Sequence, residues 1–153
     1  MTKKIAVFAG TFSPFTLGHL SLVKRALPLF DEIIVALGIN TEKSVHFPIE
    51  QRLKWIKEIF KDEEKVSTET YQGLTVDFCA RKKAQFIIRG LRDSQDFKYE
   101  KGIAQMNQSM NNKIETIFLI TDPKYSHISS TIVRDIINNG GDISKFVPKE
   151  VIL

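Results

Sequence analysis

Only one cysteine, Cys79, stands among the 153 residues, so an intrachain disulfide and a thiolate zinc cage are both excluded. It falls in a helix-like apolar pattern with Val76 and Ala80, the setting of a plain core thiol. The three histidines are too scattered to suggest a metal cluster. Polar or charged residues interrupt every apolar run well short of a membrane span. Met1-Thr2-Lys3-Lys4, with no small-residue cleavage site beyond it, makes a poor signal peptide. Cytoplasmic residence without a membrane partner is therefore expected. No internal repeat, low-complexity tract or linker divides the chain. The net charge is +4, yet no arginine-rich arm, aromatic RNA-binding signature or helix-turn-helix pattern accompanies it. The positive excess is expected to serve solubility and an anionic small ligand, not nucleic acid. There is no Ser-His-Asp or Cys-His set for nucleophilic catalysis. Neither the G-x-x-x-x-G-K-[ST] loop nor the G-x-G-x-x-G fingerprint is present.

What remains is an ordinary globular composition, 42% hydrophobic and 26% charged. It spans one expected domain, residues 1–153, long enough to bury about two thirds of its unfolded surface. Strand-like and helix-like segments alternate. Ile5–Ala9, Glu32–Ile39, Val66–Thr70, Phe86–Arg89 and Thr116–Ile120 read as strands. Between and after them, Leu20–Leu27, a segment opened by Pro48, Thr75–Lys83, Arg92–Met110 and Ser130–Asn138 read as helices, and a last helical turn is expected after Ile143. This alternation predicts an α/β domain, a Rossmann-like doubly wound sheet of about five parallel strands with helices on both faces. The first two strands are nearly all apolar, as burial on both sides requires. Ligands of such sheets bind beyond the carboxyl ends of the strands, where strand order reverses.

The most informative stretch is residues 5–19. A buried strand breaks at Gly10 into a small polar turn that ends in Thr16-Leu17-Gly18-His19, where a helix pattern begins. A strand, tight loop and helix start bring backbone N–H groups and a helix dipole together, a setting for phosphate. His19 in the first helical turn is a candidate donor to a reacting phosphoryl group, and Thr11 offers a hydroxyl and an N–H. Gly18 suits a ligand lying flat against the turn. Arg89 and Arg92, with Gly90 between them, read either as a polyphosphate clamp or as surface arginines pairing with Asp93 or Asp96. Ser129, Ser130 and Thr131 open a helix and offer hydroxyls and N–H groups to phosphate as well as a cap. Arg134 adds charge one turn further on. Glu100 is balanced between a solvated helix face and a nucleotide contact.

The spelling G-T-F-x-P-x-T-x-G-H at Gly10–His19 resembles the nucleotidyltransferase superfamily with a (H/T)-x-G-H signature, and within it the phosphopantetheine adenylyltransferase family. Ile88-Arg89-Gly90-Leu91-Arg92, Asp96-Phe97-Lys98-Tyr99-Glu100, Met106-Asn107 and Ile128-Ser129-Ser130-Thr131 resemble that family's segments in its order and spacing, so the likeness covers nearly the whole chain. The resemblance implies an enzyme moving the adenylyl group of ATP onto 4′-phosphopantetheine by direct in-line attack, giving dephospho-coenzyme A and pyrophosphate. It implies His19 and Thr11 as the groups at the reacting phosphorus. It implies Thr11, Phe12, His19, Gly90, Leu91, Arg92, Glu100, Tyr125, Ser126, His127, Ile128, Ser129, Ser130 and Thr131 as the ATP site. Thr11, Lys43, Thr75, Arg89 and Asn107 would form the phosphopantetheine site. It further implies Mg2+ arriving with ATP, a homohexamer, and dephospho-coenzyme A or coenzyme A as product or feedback ligand. Ser13 departs from the family's usual Asp. A hydroxyl can still serve the turn by accepting a backbone N–H, but it cannot help hold a metal ion as a carboxylate would. A nucleotidyltransferase with another acceptor, a nucleotide-binding regulator without turnover and a basic nucleic-acid-binding module are the alternatives at this point.

Overall fold

The apolar run near the amino terminus becomes β1 (Ile5–Gly10) and lies beside the second such run, β2 (Glu32–Gly38). A computed structural model describes residues 2–40 and 46–153; Lys43 lies outside them. The remaining elements are α1 (Leu17–Ala26), α2 (Ile49–Ile59), β3 (Val66–Tyr71), α3 (Thr75–Arg81), β4 (Phe86–Leu91), α4 (Ser94–Met110), β5 (Glu115–Ile120) and α5 (Ser130–Asn138). The five strands form one sheet in the order β3-β2-β1-β4-β5, with every pair parallel. Strand order reverses between β1 and β4, which opens a crevice at their carboxyl ends.

Alternation along the strands explains why helices cover both faces. Ala6 and Phe8 of β1 and Ile33, Val35 and Leu37 of β2 pack with Leu22, Val23 and Ala26 of α1 and Ile56 of α2. Val7, Ala9, Ile34 and Ala36 point the other way, onto Val76, Phe78 and Cys79 of α3. Helix α4 covers the β4–β5 end of that second face, where Phe97 meets Phe118 edge-on with ring centroids 6.1 Å apart. Cys79 is a buried core thiol, and burial pushes its pKa up to about 11. A third apolar cluster, with Trp55, Val133, Ile143, Val147 and Val151, fastens the carboxyl-terminal segment over α2 and α5.

Several boundaries differ from the sequence reading, some of them for a clear local reason. Helix α1 starts at Leu17, ahead of its apolar periodicity, because Thr16 caps it. Strand β4 runs on through Gly90 and Leu91, which pair with Leu119 and Ile120 of β5. The cap of α4 is Asp93, whose carboxylate accepts from the Asp96 N–H, so Arg92 precedes the helix instead of opening it. The last turn expected after Ile143 is present as a hydrogen-bonded turn (Phe146 N–H to Ile143 O, 2.9 Å) that does not extend into a helix. Pro148 disfavours helical backbone at Val147.

Candidate active site

The end of β1 and the loop from it to α1 are held by their carbonyls. Arg89 Nη1 donates to Ala9 O at 2.7 Å, Arg52 Nη1 to Thr11 O at 2.6 Å and Arg134 Nη1 to Ser13 O at 2.6 Å. Ser130 Oγ donates to Pro14 O at 2.8 Å. Strand β4 and helices α2 and α5 thus each reach the same few residues. Phe12 sits in the left-handed region with φ 49°, its ring packed against Phe8, Phe15 and His19.

His19 closes a capping box at the start of α1. The Thr16 hydroxyl accepts from the His19 N–H at 3.3 Å, and His19 Nδ1 accepts from the Thr16 N–H at 2.9 Å. That second bond assigns the tautomer: Nδ1 is the acceptor, so the ring proton sits on Nε2. Burial, with Arg89 and Arg92 adding positive charge nearby, pushes the His19 pKa down to about 3. At neutral pH the unliganded protein therefore presents a neutral imidazole whose Nε2–H is a donor. It is not a general base waiting for a proton.

Two cavities flank this histidine's loop. The first, of about 360 Å³, lies between the β1–α1 loop, β4 and the start of α5, and is lined by Thr11, Phe12, Gly18, His19, Arg92, Tyr125, Ser129 and Thr131 among others. The second, of about 520 Å³, runs between β1, β3, α3 and α4, and includes Asn40, Tyr71, Thr75, Ile103 and Asn107. They share a wall made of Ala9, Gly10, Thr11, Arg89 and Glu100. In that wall Glu100, 8% exposed, accepts from Arg89 in bidentate fashion, Nε to Oε2 at 2.9 Å and Nη2 to Oε1 at 2.7 Å. Fork-on-fork geometry of this kind fixes the guanidinium plane.

The residues expected around ATP are gathered on the first cavity, except Leu91, Ser126 and His127, which line neither cavity. Leu91 is buried in β4, Ser126 Oγ donates back to Pro123 O, and the His127 ring faces Phe146. Thr11, Arg89, Thr75 and Asn107 all line the second cavity. Several local details bear on these expectations. The start of α1 is a poorer anion site than its sequence suggests, because the Leu17 N–H is taken by Phe146 O at 2.9 Å and the His19 N–H by Thr16. Arg92 pairs with Asp96 (Nε to Oδ2, 3.1 Å), and although burial alone would raise the Asp96 carboxyl, hydrogen bonds and charge from Arg92 hold it below the usual range. A Cβ at Gly90 would lie 2.5 Å from Leu22 Cδ1, so a side chain there would force the buried Leu22 to shift. A Cβ on Gly18 would meet only ordinary contacts, the nearest 3.5 Å away, so the protein itself does not demand glycine there. The Ser13 hydroxyl, expected to support the turn, is buried without a hydrogen-bond partner. The cap of α5 is Ser129 alone, because Ser130 is spent on Pro14. Arg52 was invisible in the sequence, where a charge on an amphipathic helix reads as solvent-facing; in the fold it is 3% exposed.

No group of three or more His, Cys, Asp or Glu side chains that could cage a metal occurs among the described residues. The carboxylates lining the first cavity, Asp96 and Glu100, are both engaged by arginines.

Fold and site together define a nucleotidyltransferase: the cytidylyltransferase-like family model matches residues 7–136. A solved structure from Vibrio parahaemolyticus, provisionally described as a nicotinate-nucleotide adenylyltransferase, shares the fold with a TM-score of 0.72 at 23% identity, covering 98% of this chain and 96% of that one. Curated relatives are nearer. A protein from Flavobacterium psychrophilum named phosphopantetheine adenylyltransferase is 55% identical over 95% of this chain and 96% of its own length. Proteins of the same name from Flavobacterium johnsoniae and Bacteroides fragilis are 51% and 47% identical, each with 95% of its length covered and with 95% and 94% of this chain covered respectively. The chain belongs to the phosphopantetheine adenylyltransferase family.

Proposed function

We propose that this chain catalyses adenylyl transfer from ATP to 4′-phosphopantetheine, forming dephospho-coenzyme A and pyrophosphate, within a single domain. The observation that carries this reading is the wall shared by the two cavities: a nucleotide in one and a phosphorylated arm in the other would meet at Thr11, Arg89 and Glu100. An oxygen of the 4′-phosphate attacks the α-phosphorus of ATP. The bond from that phosphorus to the bridging oxygen of the β-phosphate breaks, and pyrophosphate leaves with the electron pair. A phosphate oxygen is already anionic, so no general base is needed, which suits an imidazole held neutral with its proton on Nε2.

Catalysis then rests on positioning and charge stabilisation. Thr11 and His19 Nε2–H would donate to oxygens at the reacting phosphorus. Arg89, with Lys43, would hold the acceptor phosphate while Thr75 and Asn107 line its arm. Arg92 and the start of α5 would hold the leaving pyrophosphate, the Ser130 and Thr131 N–H groups having no partner within the helix. Glu100 would both orient Arg89 and meet nucleotide hydroxyls. A magnesium ion would arrive with the triphosphate and offset the charge of the leaving group. Dephospho-coenzyme A or coenzyme A would fill both cavities as product or feedback ligand.

Assembly as a homohexamer belongs to the same reading. It is supported by an exposed apolar stripe on α4, where Tyr99, Ile103, Met106 and Met110 are 39–70% exposed at helical spacing. No helix among the described residues is long and apolar enough to cross a membrane, and we place the enzyme in the cytoplasm.

The test is pyrophosphate release from ATP with a panel of acceptors. Turnover with 4′-phosphopantetheine at least a hundredfold above nicotinamide mononucleotide, and above a phospho-alcohol offered with CTP, is expected. Preference for either alternative, or nucleotide binding with no release, would overturn the reading.

A further inference from the structure

Arg52 is a buried guanidinium held by two backbone carbonyls. Its Nε donates to Phe47 O at 3.0 Å and its Nη1 to Thr11 O at 2.6 Å. Among the described residues no carboxylate forms an ion pair with it. Burial lowers its pKa, with Glu50 opposing. A buried cation without a paired anion is expensive, and nothing in the packing of α2 demands one, since its neighbours on the buried face are Trp55 and Ile56. What the guanidinium does is join two loops. Thr11 belongs to the loop after β1, and Phe47 lies just ahead of Pro48, the cap of α2.

The consequence for the site follows from peptide geometry. In a trans peptide the C=O and N–H point in opposite directions. With the Thr11 carbonyl drawn onto Arg52, the N–H of the same unit, that of Phe12, points away from α2. Phe12 lines the nucleotide cavity, and with its ring packed among Phe8, Phe15 and His19, this N–H is the donor it has to offer. Arg52 itself lines neither cavity. Arg89 and Arg134 turn neighbouring carbonyls in the same way, but both also line the nucleotide cavity.

We propose that Arg52 is a positioning residue: through the Thr11 carbonyl it aims the Phe12 N–H at a phosphate oxygen of the nucleotide, and through the Phe47 carbonyl it ties the entry to α2 to the same loop. The proposal rests on the adenylyl-transfer reading for its chemistry and on the two hydrogen bonds for its geometry. A loop released by about 1 Å costs on the order of 100-fold in rate, so Arg52→Gln should lower kcat about 30- to 100-fold. Arg52→Lys keeps the charge and one donor, and should recover part of that loss. A purely structural arginine would instead lower the melting temperature and leave kcat per folded enzyme unchanged. Folded variants with kcat within threefold of wild type, or a loss confined to KM, would overturn the proposal.

A measurement on the unaltered protein can still overturn the proposal should neither variant fold. On saturation of [15N]Phe-labelled protein with α,β-methylene-ATP, the Phe12 amide proton should move downfield, and a resonance that stays in place overturns the proposal. This arm also separates the two readings. A wild-type protein that releases no pyrophosphate with 4′-phosphopantetheine refutes the function, while the Phe12 amide still reports on the nucleotide contact that the Arg52 proposal requires.

Discussion

Replacing His19 with alanine removes two separable things, and their sizes can be set apart in advance. The first is the Nε2–H donor at the edge of the nucleotide cavity. Losing one such donor to a developing oxyanion costs about 100- to 1,000-fold in kcat, or about 2.7–4 kcal/mol. The second is structural: Nδ1 no longer accepts the Thr16 N–H, and the ring no longer packs against Phe12 and Phe15, whose centroids lie 5.0 and 5.2 Å away. A lost cap and aromatic contact together cost about 1–2 kcal/mol, a fall in melting temperature of about 2–8 °C. His19→Gln divides the two, because Gln is a normal partner at this position of a capping box. It should melt closer to wild type than His19→Ala does, because the cap is kept and only the ring contacts are lost, yet still lose at least tenfold in kcat, its amide donor being displaced from the Nε2 position. Both variants are read by pyrophosphate release at saturating ATP and acceptor, beside thermal melting. If His19→Ala keeps kcat within tenfold of wild type, the assignment of Nε2–H to the reacting phosphorus is wrong.

Three further outcomes follow from the same geometry. Gly18→Ala meets only ordinary contacts from the protein, so it should melt within about 2 °C of wild type. It should also bind ATP at least tenfold more weakly by calorimetry; unchanged affinity would show that no ligand lies against this turn. The unfolded chain takes up the His19 proton below the group's ordinary value of 6.5, while the folded protein does not until about pH 3. Stability of the unliganded protein therefore falls as pH drops through that window, by up to ~1.4 kcal/mol per pH unit. Denaturant melts at pH 7 and pH 5 should show a larger loss for wild type than for His19→Gln, and equal losses would contradict the lowered pKa. Ser13→Ala deletes a buried hydroxyl that has no partner, so stability should stay level or rise by up to about 1 kcal/mol. A drop of more than about 1 kcal/mol in a chemical melt would mean that the hydroxyl is bonded after all.

How far the sequence carried these conclusions depended on whether burial left a local trace. Strands β1 and β2 are buried on both faces, so Ile5–Ala9 and Ile33–Leu37 are almost wholly apolar and legible at once. The end of β4 is not, because Arg89 and Gly90 break the apolar run even though both stay in the ladder with β5. The loop with Thr11, Gly18 and His19 announced itself by spelling. Its chemistry did not: the proton position on His19 depends on the Thr16 N–H, a bond three residues back that no composition reveals. Long-range contacts were the least legible. Phe146 occupies the Leu17 N–H from across the chain, and Arg52 reaches Thr11 over 41 residues. Both depend on the third apolar cluster and on the docking of α2, which are tertiary events.

The shared wall is best tested by a crystal structure of the enzyme with α,β-methylene-ATP and 4′-phosphopantetheine bound together. The account predicts the α-phosphorus beside Thr11 with a non-bridging oxygen at hydrogen-bond distance from His19 Nε2, and the 4′-phosphate on Arg89, in line with the bond to be broken. An α-phosphate remote from His19, or the two phosphates held on opposite sides of the Arg89–Glu100 pair and out of line, would contradict it.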